Sequence, residues 1–160
     1  MQAIVDNHLK EFRKSPKTVV RIPDVTTLLG EFAYYSHGNA ILCTNERSLF
    51  VALSESSDNQ VHVFNTLTKD KKKFSLSSLK FRKEDKWGNY IKGVFFMLAE
   101  KGFELKTFDI TIDGPALKNG NSNIAALISI GVCCALKEAL GLSIEEKEMA
   151  LLCHQYWLQH

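Results

Sequence analysis

The stretch from Ile112 to Gly141, IDGPALKNGNSNIAALISIGVCCALKEALG, constrains the fold more than any other part of the chain. It reads as the end of a strand, a loop rich in Gly, Asn and Ser, and a long apolar helix. The loop from Gly114 to Asn123 supplies small residues, amide side chains and one lysine, Lys118. Ser122 or Asn123 is read as the N-cap, which leaves the N–H groups of the first helical turn pointing into the loop. Such a terminus carries a partial positive charge and attracts phosphate or carboxylate. The helix begins small, with Ala125 and Ala126, and has no acidic residue before Glu138. Two readings follow: a phosphate cradle, or a capped core helix after a polar loop. Neither the dinucleotide fingerprint nor the Walker pattern G-x-x-x-x-G-K-[ST] is present.

The flanking segments supply the other layers. Ile4, Val5, His8, Leu9 and Phe12 form a helical stripe over Ala3 to Lys14, and Ser15-Pro16 ends it. Thr18 to Val25 alternates as a strand, with Pro23 suiting an edge position. Gly30 to Gly38 reads as a short helical turn and a loop. Four strand candidates follow: Asn39 to Cys43, Ser48 to Ser54, Gln60 to Leu67 and Lys73 to Ser77. Their separators, Thr44 to Arg47, Glu55 to Asn59 and Thr68 to Lys72, are polar, which predicts a meander of antiparallel hairpins. Trp87 to Lys101 is an amphipathic helix with Gly102 placed for its left-handed cap. Phe103 to Ile112 alternates as a strand. After Gly141, Ser143 and Glu146 form a capping box for a last helix from Ile144 to about Leu158. The helical pattern still runs at Trp157-Leu158-Gln159-His160 without a C-cap, so residues 1–160 are expected to be one domain truncated at its C-terminus. The order predicts an α+β fold: helices packed on one face of a mixed, mostly antiparallel sheet.

Composition excludes several classes of partner. A net charge of +2 over 160 residues gives no reason to expect nucleic acid or a membrane surface. The basic run Lys69 to Lys73 is read as a solvated turn. No apolar run reaches the ~18 residues of a bilayer span, and the N-terminus lacks the apolar core of a signal peptide. The four cysteines show no C-x-x-C pair and no zinc spacing. Buried free thiols in a reducing compartment are expected, which places the chain in the cytoplasm.

Three motifs, in order, resemble the galactokinase branch of the GHMP small-molecule kinases, from the first helix to the last. Trp87-Gly88-Asn89-Tyr90-Ile91-Lys92-Gly93-Val94 resembles W-x-N-Y-(V/I/P)-(R/K)-G-V, which in that family leads into a helix beside the adenine. Trp87 and Tyr90, three apart at a helix start, can flank a purine ring. Leu28 to Tyr35 is similar to the sugar signature R-V-N-L-I-G-E-H-T-D-Y. Gly30, Glu31 and Tyr35 match, while the arginine, asparagine, histidine and aspartate positions hold Val25, Thr27, Phe32 and Tyr34. Gly120-Asn121-Ser122-Asn123-Ile124-Ala125-Ala126 resembles the phosphate loop G-L-S-S-S-A-A, with one serine of three kept. Leu140 to Leu151 is similar to the family segment that precedes the catalytic C-G-x-x-D-Q motif.

The resemblance implies the N-terminal domain of a GHMP kinase, a ribosomal protein S5 domain 2-like fold. It implies a nucleotide held by Trp87, Asn89 and Tyr90 on the base side and by Gly120, Asn121, Ser122 and Asn123 on the phosphate side. Ser122 would contact Mg2+, and Glu31, Tyr35 and His37 would face a galactose-like sugar. It assigns no catalytic residue to this chain. Three functions are open: an ATP-dependent galactokinase completed by a missing C-terminal domain, a non-catalytic nucleotide- or sugar-binding relative, and a fragment that self-associates through bare helix faces such as Leu151, Leu152, Tyr156 and Trp157. Asp109, Asp113 and His154 are given no role.

Overall fold

Five strands form one mixed sheet in the computed structural model, which describes residues 1–118 and 123–158. In chain order the elements are α1 (Gln2–Phe12), β1 (Thr18–Leu29), the single turn α2 (Ala33–Ser36), β2 (Ile41–Glu55), β3 (Val61–Asn65), β4 (Lys71–Phe74), α3 (Gly88–Glu100), β5 (Phe108–Asp113), α4 (Ile124–Leu140) and α5 (Glu146–Leu158). The sheet order is β1-β2-β5-β3-β4. β5 is antiparallel to β2 and parallel to β3, and the other pairs are antiparallel. The α+β class and the mixed, mostly antiparallel sheet are those expected. Among the described residues no helix is long and apolar enough to cross a membrane.

Alternation assigns the two faces. Leu49, Val51 and Leu53 of β2, Val61 and Val63 of β3, and Phe108, Ile110 and Ile112 of β5 point to one side. There they pack against Ile91, Phe95, Val132 and Leu136 in a single core. Burying each of these large side chains contributes about 1.5–3 kcal/mol. α4 lies close on β1 and β2 because Gly131 has no side chain: a Cβ there would stand 3.0 Å from Val51 Cγ2 and 3.2 Å from Ile22 Cγ1.

The opposite face is where the fold departs from a one-sided helical layer. Ala52, Ser54 and Thr111 are buried there under α1, against Ile4 and His8. Three helices take one face and α1 takes the other. His8 belongs to the buried stripe of α1, as its spacing predicts, but through polar contacts.

The hairpin meander is corrected. β5 is inserted between β2 and β3, so the two segments consecutive in sequence never pair. Thr44 to Arg47 is no turn either: β2 runs through it, paired with β1 across two register shifts, Pro23/Val25 and Thr27/Leu29. The polar side chains there find partners in place of solvent. Asn45 Nδ2 donates to Thr26 Oγ1 at 3.1 Å, and Arg47 Nη2 stands 3.2 Å from Asp24 Oδ2. Pro23 does lie on an edge strand, as expected. At the other edge, the lysines read as a turn begin β4 at Lys71; charged side chains there oppose pairing with a further strand.

Phe103 to Lys106 lies outside β5. Gly102 (φ 83°) and Gly141 (φ 64°) occupy the predicted left-handed positions after α3 and α4. α5 starts at Glu146, with Met149 N–H donating to the Glu145 carbonyl, so Ser143 stands too early to cap it. Leu151 is exposed and Leu152 buried; the Tyr156 and Trp157 side chains fall outside the described set.

Candidate functional site

Strand directions place three helix starts at one end of the sheet. β3 and β5 run parallel and finish together at Asn65 and Ile112. β2 passes the same end at Phe50, opposite Asp113. α1 begins there, because Asn7 Nδ2 donates to Asp113 Oδ2 at 3.0 Å while Lys14 Nζ reaches the Glu55 carbonyl at the far end. α3 begins there too: Trp87 Nε1 donates to Asp70 Oδ2 (3.0 Å) in the turn after β3. α4 begins beside β1, where Asn123 Nδ2 donates to the Val25 carbonyl at 3.3 Å.

None of the three helices has an acidic residue in its first turn, and among the described residues none has a side-chain hydrogen bond from its N-cap residue to its start. Each presents the positive end of its dipole at this end of the sheet, α3 and α4 on one face and α1 on the other. α5, which starts at the opposite end, carries Glu146 and Glu148 in its first turn. The helix ends favour an anion there, beside the carboxylates of Asp70 and Asp113.

Asn123 is the N-cap of α4, one of the two residues expected there, but its side-chain amide donates to β1 and does not cap the helix start. Leu127 N–H closes the first bond, to the Asn123 carbonyl at 2.9 Å. Gly120, Asn121 and Ser122, expected to hold phosphates and Mg2+, lie outside the described residues.

Trp87 and Tyr90 are half-buried, and Ser129 of α4 donates to the Tyr90 carbonyl at 3.4 Å. Ser129 lies six residues after Asn123, so Tyr90 is about 9 Å along the helix axis from the α4 start. Desolvation opposes it, but the Trp87 hydrogen bond and Lys72 hold the Asp70 carboxyl below the usual carboxylate range. Asn89 is buried and bonded to the main chain of Arg82, accepting from its N–H (3.2 Å) and donating to its carbonyl (2.7 Å). It holds the segment before α3 in place. Lys92, also buried, pairs with Asp85.

The sugar-signature residues sit on the arm formed by the far halves of β1 and β2. Gly30, with φ 81°, turns the chain into α2, and a Cβ there would meet the Asn39 carbonyl oxygen at 2.5 Å. Glu31 and Tyr35 line an open depression of about 520 Å³. His37 adopts a left-handed conformation (φ 51°) and closes α2 through its main-chain N–H. Leu28, Leu29, Phe32, Tyr35, Ile41 and Leu42 are all exposed on this arm, a large apolar patch.

Two further cavities open at the same end. One, of about 420 Å³, has Asn7, Thr66, Lys69, Asp113 and Lys118 in its wall. Asp113 also accepts from Thr66 Oγ1 at 2.6 Å. Long-range pairs such as Asn7 with Asp113 leave no sequence pattern; the only local signal was Lys118 in the loop. The second, about 460 Å³, lies between β1, α4 and α5, with Val25, Leu42, Asn123, Ala126, Cys153 and His154 among its walls.

This fold is shared with the GHMP small-molecule kinases. Lactococcus lactis galactokinase, solved in complex with galactose, superposes with a TM-score of 0.84 over 99% of this chain and 42% of that one, at 20% identity. Streptococcus pneumoniae phosphomevalonate kinase, solved with phosphomevalonate and AMPPNP, gives 0.68 over 89% and 43%, at 16% identity. In sequence the chain resembles the galactokinases along most of its length. It is 27% identical to the galactokinase of Clostridium perfringens strain 13 over 155 residues, which is 95% of this chain and 40% of that relative. The chain thus spans well under half the length of the relatives it matches. No family model matches it.

Proposed function

We propose that the chain is the N-terminal, nucleotide- and sugar-binding part of a galactokinase-like kinase, which phosphorylates galactose at its anomeric hydroxyl, and that it is inactive alone. One observation carries the reading: α3 and α4, neither with an acidic residue in its first turn, both start at the end of the sheet where the Trp87–Val94 motif begins. The partly exposed aromatic pair and the α4 start, which the Asn123 side chain does not cap, suit a purine and its phosphates. ATP with Mg2+ would supply the transferred phosphoryl group and its charge neutralisation. Trp87 and Tyr90 would bind the base, with Asn89 fixing the loop that carries them. The α4 start with Gly120, Asn121, Ser122 and Asn123 would hold the phosphates, Ser122 being the Mg2+ contact. Glu31, Tyr35 and His37 would face the sugar. The rest of the kinase length, present in the relatives, would cover the apolar arm. These assignments follow the galactokinase resemblance, and a location in the cytoplasm follows from the expected free thiols.

A second reading is a non-catalytic relative that binds nucleotide or sugar. The cavity beside Asn123 favours it: Val25 and Thr27, at the arginine and asparagine positions of the sugar signature, line it together with Leu42 and Ala126. An arginine there would offset charge at a transferring phosphoryl group; valine does not.

Thermal denaturation with MgATP and with galactose separates the readings, because ligand at 100 times its dissociation constant stabilises by about 2.7 kcal/mol. Stabilisation by both, without ADP release by this chain alone, is expected. Stabilisation by nucleotide or sugar alone favours the non-catalytic relative, and no shift with either overturns both.

A further inference from the structure

Between β4 and α3 the chain has one 3-10 turn, Lys83–Asp85, and no strand. Side chains of α3 and of the β3–β4 turn hold this segment from two sides. Asn89 binds the Arg82 main chain, and Lys92 Nζ donates to Asp85 Oδ2. Trp87 is joined to Asp70. Between the last two tethers lies Lys86, with φ 47° and ψ −119°, a conformation that residues other than glycine rarely adopt. Such a backbone persists only where its surroundings fix it. The start of α3 presses on the same point: a Cβ on Gly88 would stand 3.2 Å from Lys72 Cγ and 3.8 Å from Asp85 Cβ.

Lys92 lies in surroundings that would suit an apolar side chain. Its side chain is 5% exposed, against 22% for Asp85. Its ammonium stands 5.7 Å from the centroid of the Phe74 ring, and Phe74 packs edge-on against Phe95 of α3. Desolvating two charges costs about as much as their attraction returns, so an apolar pair of similar volume would hold the two segments together at least as well. What an apolar pair lacks is direction. The ammonium must meet one carboxylate oxygen, and that contact fixes the 3-10 turn in one position on α3. Asp85 stands two residues before Trp87, so a turn fixed there fixes the main chain that carries the indole.

We propose that Lys92, paired with Asp85, is a positioning residue of the base site: it holds Trp87 in place for a purine before any nucleotide is bound, a role that rests on the nucleotide reading above. Lys92 is buried under the turn and does not touch the ligand. Its effect passes through residues 82–86 and shows in affinity, not in stability, because apparent affinity falls with the fraction of molecules that hold the ring in its binding position.

The test uses the full chain with Trp157→Phe, which leaves Trp87 as its one tryptophan. Lys92→Met with Asp85→Ala removes both charges together, so no buried ion is left unpaired. The melting temperature of this double variant is expected within about 3 °C of the parent. Acrylamide should quench its Trp87 emission more readily without ligand, because the ring is no longer held. Calorimetric titration should show MgATP bound about 5- to 10-fold more weakly. Lys92→Arg keeps a charged donor for Asp85 and should bring both readouts back to within about twofold of the parent. Should the double variant not fold, Asp85→Asn takes its place, with the same directions expected. A folded variant that matches the parent in quenching and affinity overturns the proposal. So does one whose affinity and melting temperature fall together while quenching is unchanged, since fold and not position is then lost. If the parent binds no MgATP, the nucleotide reading falls, and quenching alone decides whether the pair fixes Trp87.

Discussion

His8 Nε2 stands 2.9 Å from Ser54 Oγ beneath α1, and the other ring nitrogen stands 2.8 Å from Thr111 Oγ1. Both hydroxyls can donate or accept, so a neutral imidazole is satisfied without a counter-charge. Burial, helped by the nearby Lys14 ammonium, lowers the His8 pKa from 6.5 to about 4. Above pH 6.5 neither the folded nor the unfolded chain protonates this ring, and its contribution to stability is full. As pH falls from 6.5 towards 4 the unfolded chain takes up a proton that the folded chain refuses, so stability is lost across that window. The loss attributable to His8 between pH 7 and pH 5 is about 2 kcal/mol. Urea denaturation of the protein and of His8→Asn at both pH values measures it: the variant should lose less stability between them. Equal losses would remove His8 as the cause.

Gly114→Ala should destabilise the chain by at least about 2 kcal/mol. Gly114 has φ 127°, a conformation that L residues rarely adopt, and an added Cβ would stand 2.3 Å from the Ser48 carbonyl oxygen. The opposing atom is main chain in a paired strand, so it cannot move aside as a side-chain tip does. Thermal unfolding reads the effect. Gly102→Ala is the control, because a Cβ at Gly102 meets nothing within 4 Å and its cost is limited to the strain of φ 83°.

Period and punctuation carried the long helices: α1, α3, α4 and α5 begin and end within two residues of their predicted bounds because apolar spacing, Ser15-Pro16 after α1 and the glycines after α3 and α4 are local signals. Strand neighbours were not legible. Phe108 to Asp113 alternates in the same way whether it pairs at an edge or in the middle, and only the three-dimensional packing of α3 brings it between β2 and β3. The stretch Thr44 to Arg47 was misread because its polar residues satisfy one another across two strands, a relationship invisible along one. Of the candidate site, the N-cap position of Asn123 and the place of Trp87 at the start of α3 could be read locally. The side-chain bonds of Asn123 to the Val25 carbonyl and of Asn89 to the Arg82 main chain could not.

Arg47→Ala should cost about 1–3 kcal/mol, more than Asp24→Asn. The Asp24 carboxylate is 1% exposed, and Arg47 stands over it at 3.2 Å while remaining 44% exposed itself. Removing the guanidinium leaves a buried charge with less compensation, whereas the amide keeps an oxygen for the Val25 N–H and leaves Arg47 partly hydrated. A double-mutant cycle on chemical denaturation isolates the pair, with coupling of about 0.5–3 kcal/mol expected for residues in contact. Additive losses would mean that the pair contributes nothing at this register shift.

Trp87→Ala tests the nucleotide reading most directly. The indole N–H is already committed to Asp70, so the ring is held from one edge and its position does not depend on a ligand. Stacking of a base on such an aromatic contributes about 1–3 kcal/mol, and its removal should weaken MgATP binding by about 5- to 150-fold in calorimetric titration. Asp70→Asn separates contact from positioning. It keeps an acceptor for the indole and should leave affinity within about threefold, since a neutral hydrogen bond contributes only about 1 kcal/mol. If Trp87→Ala binds MgATP as the parent does while the fold remains intact, the aromatic pair is part of the packing between α3 and the β3–β4 turn, and the base is held elsewhere.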